Sequence, residues 1–253
     1  MNLARFALLG VALLALAHCA KPEDPGYQGW VEADLIFVSP DEVGRVETLS
    51  VREGDTIEKG APLFTVDPDL QQSDVEMAKA SVTNATQAYE RAQTLLKTLA
   101  GTPKTVEDAE ATLRTAQARL ASAQTRLARR KASSPVTGSV QQIYYRPGEL
   151  VPAGRPVVSL LPPGNIKIRF FVPETVLPSV TLGEAVTVHC DGCKTDVTAK
   201  VTFISRTSEF TPPVIYSLDE RSKLVFLIEA RTDTPGGLRV GQPVDVRFAE
   251  SRK

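Results

Sequence analysis

The chain has 253 residues, 42% hydrophobic and 23% charged, with a formal net charge of −1. That composition suits a folded chain of one large or two to three small domains, and the balanced charge gives no electrostatic case for nucleic acid as a partner. Aromatic residues make up only 6%, which together with frequent alanine favours slender helices over one thick core.

The first segment reads as an export signal. Arg5 is followed by an apolar run over residues 6–17. As a helix that run would span about 18 Å, short of the ~30 Å hydrocarbon core. A positive start with a short apolar run marks a secretory signal, here assigned to residues 1–19. It ends in Leu16-Ala17-His18-Cys19, which resembles a bacterial lipobox with Cys19 as the lipidated residue. His18 departs from the small residue such boxes carry. Lipidation at Cys19, ordinary cleavage and an uncleaved anchor therefore stay open, and all three export the chain. Residues 20–30 read as a linker.

Residues 44–68, GRVETLSVREGDTIEKGAPLFTVDP, are echoed by residues 138–162, GSVQQIYYRPGELVPAGRPVVSLLP. Gly44, Gly54, Gly60, Pro62 and Pro68 fall on Gly138, Gly148, Gly154, Pro156 and Pro162 without a gap. The glycines suit turns of positive φ, and the alternating apolar residues between them suit short half-buried strands. Each copy is too small to stand alone. The two halves, 31–67 and 133–163, are expected to pack face to face as one β-sandwich.

Residues 68–132 between them follow another period. Val75, Ala78, Val82, Ala85, Tyr89, Ala92, Leu96 and Leu99 step by three and four, as do Val106, Ala109, Leu113, Ala116, Leu120, Ala123 and Leu127. Two heptad seams predict two helices. Gly101-Thr102-Pro103-Lys104-Thr105 is so short a turn that they must run antiparallel. Asp67 is the expected N-cap of the first, with Pro68 at its first position. For the second, either Thr105 with Asp108 or Thr102 before Pro103 is expected to cap. The outward positions are mostly polar, so the hairpin is expected to be free-standing.

From residue 164 to 250 the period returns to two. IKIRFFV, EAVTVHC, VTAKVTFIS, KLVFLIEA and PVDVRF predict five or six strands of a small barrel or sandwich, with a short helix near residues 174–179. Residues 29–35 could add a strand to either β unit.

Within the last domain, His189-Cys190-Asp191-Gly192-Cys193 is the one cluster of soft ligands. Asp-Gly favours a two-residue hairpin turn that would set the cysteines opposite each other, within disulfide range. In an exported chain a Cys190–Cys193 disulfide is the expected state. A metal site of His189, Cys190 and Cys193 and free thiols are the alternatives. His189 is the only histidine beyond the signal. Neither a G-x-S-x-G elbow nor a phosphate-cradling glycine loop occurs, so no catalytic residue and no cofactor is expected.

Over residues 30–248 the chain resembles the periplasmic adaptor family, the membrane fusion proteins of HlyD type. The split repeat around a helical hairpin carries the likeness, with RPGELVPAG followed by LLPPGNIKIRFFVPE, and TPPVIYSLDERSKLVFLIEAR. The resemblance implies a mainly β chain: a split lipoyl-like β-sandwich interrupted by a two-helix coiled coil, followed by a small β-barrel domain. It implies a non-enzymatic linker between an inner-membrane transporter and a TolC-like outer-membrane channel, self-associated as a ring and held at a membrane in the periplasm. A family motif at hairpin tips reads here as Arg91, Leu95 and Thr102. The absence of a further β domain past residue 250 favours an ABC-type transporter over a proton-driven one. Ala20 after Cys19 leaves open which membrane holds the lipid. A lipoyl carrier would need a Lys on the tight turn that the helices have replaced. Two other readings remain: an envelope lipoprotein scaffold or chaperone that grips clients with its hairpin, and a metal-export accessory protein using His189, Cys190 and Cys193.

Overall fold

The structure, a computed structural model, describes residues 26–193, 195–210, 224–232 and 237–248. The expected signal, the Cys19 lipidation site and the TPPVIYSLDERS part of the family-like stretch lie outside the described residues. Among the described residues no helix is long and apolar enough to cross a membrane. The described residues divide into two compact units, residues 34–165 and residues 26–33 with those from 166 to 248.

The first strand, β1 (Tyr27–Ala33), corrects one boundary. Residues 20–30 were expected as linker and residue 31 as the start of the first half-sandwich. Instead Tyr27–Ala33 pairs with strands late in the chain, Val31 opposite Ile168 and Tyr27 opposite Val246. Its alternation of side chains suits either β unit, and pairing decides between them.

The unit 34–165 begins with β2 (Ile36–Val38), β3 (Gly44–Leu49), β4 (Thr56–Ile57) and β5 (Pro62–Val66). After the helices come β6 (Lys131–Ser133), β7 (Gly138–Ile143), β8 (Leu150–Val151) and β9 (Val158–Leu161). They form two four-stranded sheets, in the orders β2-β9-β7-β4 and β6-β5-β3-β8. Each sheet therefore takes strands from both copies of the repeat. The exchange is reciprocal. Gly44 pairs with Val151, and its counterpart Gly138 pairs with Ile57, the counterpart of Val151. The Gly54 N–H donates to Val140 O at 2.9 Å and the Gly148 N–H to Val46 O at 2.8 Å. Both glycines hold φ near +90° (91° and 95°), a conformation that side chains resist. The sheets close on one core that contains Val46, Leu63, Phe64, Val66, Val140, Val151, Val157, Val158 and Leu160, each at most 2% exposed. Neither copy has a complete sheet without the other, which is why the pattern is written twice.

The repeat is interrupted by helices α1 (Asp69–Lys97, 29 residues) and α2 (Pro103–Ala128, 26 residues). At 1.5 Å per residue the arm is about 40 Å long. Pro68, the position before α1, offers no capping group; Asp67 Oδ1 accepts from the Asp69 N–H at 3.0 Å instead. Thr102 caps α2, in a reciprocal pair with Thr105. The seam is thin. Val75, Ala85 and Ala116 are buried, whereas Val82, Leu96, Leu113, Leu120 and Leu127 are half-buried.

The second unit is a closed six-stranded antiparallel barrel. β10 (Ile166–Pro173), β11 (Ala185–His189), β12 (Val197–Phe210), β13 (Leu224–Arg231) and β14 (Pro243–Phe248) join β1 in the order β1-β10-β13-β12-β11-β14. Inward and outward residues alternate along β10, with Ile166, Ile168, Phe170 and Val172 inside. At Gly29 an added Cβ would lie 2.3 Å from Arg169 O, so glycine permits the close approach of β1 to β10. A short 3₁₀ turn covers Leu177–Ser179.

Candidate functional site: the hairpin tip and root

The end of the arm is built by how α1 stops. Its last turn closes with the Ala100 N–H donating to Leu95 O at 2.9 Å and the Leu99 N–H to Leu96 O at 3.1 Å. This pair of bonds is the Schellman arrangement, whose left-handed position usually goes to glycine. Here Leu99 takes it, with φ 59°; no other non-glycine residue among those described has positive φ. Leu99 is 94% exposed. It was expected in the heptad seam and does not belong to it, because the helix ends two residues earlier. Gly101 follows, where an added Cβ would sit 3.2 Å from the Leu95 Cβ. Thr102 and Pro103 then start α2.

Two of the three motif residues come together. Arg91 and Leu95 line one open groove with Gln87, Glu90 and Thr94. Leu95 is 49% exposed, and among the described residues the Arg91 guanidinium has no hydrogen bond or ion pair within the chain. Thr102 lies apart from this groove. Its hydroxyl accepts from the Thr105 N–H at 3.3 Å, so its visible work is to cap α2. The groove thus offers a five-donor planar cation beside an apolar knob, a pairing suited to a carboxylate or carbonyl on a helical surface. Leu99, beyond the motif, is the apolar tip residue that sequence reasoning missed.

The root of the arm is polar and buried. Arg130, just past α2, is 7% exposed. Its Nε donates to Asp67 O at 3.0 Å, and its Nη1 to Val43 O at 3.2 Å and Glu42 O at 3.4 Å. Gln71, in the first turns of α1 and 5% exposed, donates to the Glu42 carboxylate at 2.9 Å. Arg129 reaches Asp41 at 3.1 Å from an exposed position.

In the barrel, Cys190 and Cys193 are joined by a disulfide with Cα atoms 5.4 Å apart. The Cys193 N–H donates to Cys190 O at 3.1 Å, and Gly192 has φ 80°, as a type II turn requires of its third residue. The turn is not the two-residue hairpin connection expected from Asp-Gly. The ladder of β11 and β12 ends at Val188 opposite Val197, so the four-residue turn lies within a longer loop. There His189 Nδ1 is 2.7 Å from Asp196 Oδ1. With both sulfurs bonded to each other, no pair of thiolates is left for a metal, and no grouping of three metal-ligating side chains occurs among the described residues.

Residues 36–161 match the profile of the RND MFP barrel-sandwich hybrid domain. The UPF0194 membrane protein in the asrC 5′ region of Acidithiobacillus ferridurans is 32% identical over 117 residues, 46% of this chain and 35% of that protein. The chain thus spans about a third of the length of the curated relatives it matches. Among solved structures, the MacA–MexA chimeric protein containing the Pseudomonas aeruginosa MexA α-hairpin domain has a TM-score of 0.71 at 19% identity, covering 89% of this chain and 80% of its own. The membrane fusion protein Spr0693 from Streptococcus pneumoniae R6 has a TM-score of 0.69 at 17% identity, covering 89% and 98%. At those identities the likeness is one of fold. With a sandwich made of two exchanged halves, opened by a helical arm and matched as the barrel-sandwich hybrid domain, residues 36–161 belong to the membrane fusion protein family.

Proposed function

We propose that this protein is the non-catalytic adaptor of a tripartite export system. It stands in the periplasm, held at a membrane by lipid on Cys19, and assembles as a ring of identical copies. Its hairpin tip meets a TolC-like outer-membrane channel, and its other contact is an inner-membrane transporter, ABC-type by the expectation from sequence. The observation that carries this reading is the open groove at the end of a ~40 Å arm, where the Arg91 guanidinium, without a partner among the described residues, sits beside half-exposed Leu95. Arg91 forks onto a carboxylate or carbonyls of a channel helix, and Leu95 fills the gap beside it. One such contact is small, and a ring multiplies it by avidity.

The test is capture of the channel by the full chain in membranes. Arg91→Ala and Leu95→Asp should each lower capture roughly tenfold or more, the size expected for a central anchor residue, and export should fall with it. Capture and export that survive both changes would sink the tip assignment. The transporter class is separable by energy source: export abolished by an ATPase-dead transporter supports the ABC type, whereas export abolished by a proton uncoupler alone supports a proton-driven one.

A further inference from the structure

Arg129, Arg130 and Gln71 at the arm's root close on one loop, residues 41–43, and the loop belongs to the sandwich. Arg130 ties Asp67, where the chain enters α1, to Glu42 and Val43 through three carbonyls. Its own backbone is locked as well: the Arg130 N–H donates to Leu127 O at 3.1 Å, and Arg130 O accepts from the Val66 N–H at 2.8 Å. Gln71 holds the Glu42 side chain from α1, so both helices reach the same loop. Gly44 completes the fit. A Cβ there would lie 2.3 Å from Val66 Cγ1 and 3.0 Å from Arg130 Nη2, so the guanidinium and Val66 occupy the space a side chain would need. The repeat-mate Gly138 is constrained by a different neighbour, Leu161 O at 2.5 Å. The Arg130 packing therefore belongs to the arm and is no inheritance of the repeat.

Among the described residues the Arg130 guanidinium meets carbonyls and no carboxylate, a costly burial, and the buried Gln71 Oε1 has no hydrogen-bond partner there. An apolar side chain would fill the site more cheaply. What the polar arrangement supplies is direction, since each bond fixes an angle. We infer that Arg130, assisted by Gln71, is a positioning residue: it clamps the root so that the arm points one way from the sandwich. The length of the arm makes this matter. A swing of about 10° at the root moves the tip of a ~40 Å arm by about 7 Å, far beyond the reach of a hydrogen bond. A loose root would leave only a fraction of molecules with the Arg91 groove in place, and apparent affinity falls by that fraction. The purpose assigned to the clamp rests on the proposed tip contact; the clamp itself does not.

The experiment measures the arm's angular spread in the full chain. Nitroxides are introduced through a keto-bearing amino acid at exposed Lys97 and Arg155, leaving the cysteines alone, and their separation is read by pulsed electron–electron resonance without any partner. The parent should give a narrow distribution. Arg130→Met should widen it roughly twofold through the lever of the arm, and Arg130→Lys, which cannot fork, should fall between. Channel capture should drop in the same order with Arg91 and Leu95 untouched. If Arg130→Met fails to fold, Gln71→Ala carries the test, since it releases Glu42 while leaving the guanidinium in place. Equal widths in parent and variants overturn the clamp. A widened distribution with undiminished capture overturns its positioning role. Failure of the tip variants alone would leave the widths, and hence the clamp, unaffected.

Discussion

Leu99 shows a residue held against its own preference. The left-handed conformation costs a leucine about 1 kcal/mol or more, and at 94% exposure it regains nothing by burial. Leu99→Gly should therefore stabilise the chain by roughly 0.5–1 kcal/mol after allowing for the extra freedom of glycine when unfolded. A rise in the thermal midpoint, with slower amide exchange across residues 95–101, is the expected result. A fall would mean that the leucine packs against something and is no strain site. If the tip grips a channel as proposed, the same change should weaken capture, so stability and binding move in opposite directions. The sequence could not reveal this residue. Its place in the three-and-four spacing runs on past Lys97, and nothing in that spacing marks where two backbone bonds end the helix. Arg130 was hidden likewise: it sits between exposed Arg129 and Lys131 in a run that reads as a solvated basic stretch. Arg91 and Leu95 were singled out by a pattern of residue types and not by burial, and they line one groove.

At the scale of elements, the paired glycines and prolines announced the two halves, and the shift of period announced the helices. The exchange of strands between halves was not readable. It depends on which edges meet when two sheets close, and alternation alone assigns a strand to a face, never to a neighbour. The same ambiguity misplaced β1. The CDGC turn was misread for a related reason. Asp-Gly favours a tight hairpin, but the ladder between β11 and β12 stops short of it, leaving the cysteines to close a turn inside the loop. That position limits what the bond can do. Closing so few residues removes at most about 2 kcal/mol of chain entropy, and β11 and β12 are each held on their far sides, by β14 and β13. The double change Cys190→Ser with Cys193→Ser should leave a folded barrel with a thermal midpoint lower by only a few degrees, and added reductant should no longer shift it. Unfolding at ambient temperature would show instead that the disulfide keeps the barrel closed.

In the whole molecule, one insertion sits inside another. The arm interrupts the sandwich, and the sandwich interrupts the barrel between β1 and β10. Closing the barrel therefore requires Ala33 and Ile166, partners in the ladder, to meet across all the residues between them. For a disordered loop of that length the entropy cost grows to several kcal/mol. A sandwich that folds first removes most of it, because its own ends are stapled: the Asp34 N–H donates to Asn165 O at 3.0 Å, and Asn165 Nδ2 to Asp34 O at 2.8 Å. The sandwich should then be the autonomous part, with both its sheets and the Arg130 clamp contained in residues 34–165. Expressed alone, that fragment should show mixed helix and strand by circular dichroism and unfold in one cooperative transition. A chain starting at residue 34 should keep this transition yet associate through its barrel, since β10 and β14 each lose the partner that β1 provides. If the 34–165 fragment is disordered by itself, folding does not begin in the sandwich, and the order of assembly proposed for the nested chain must be reversed.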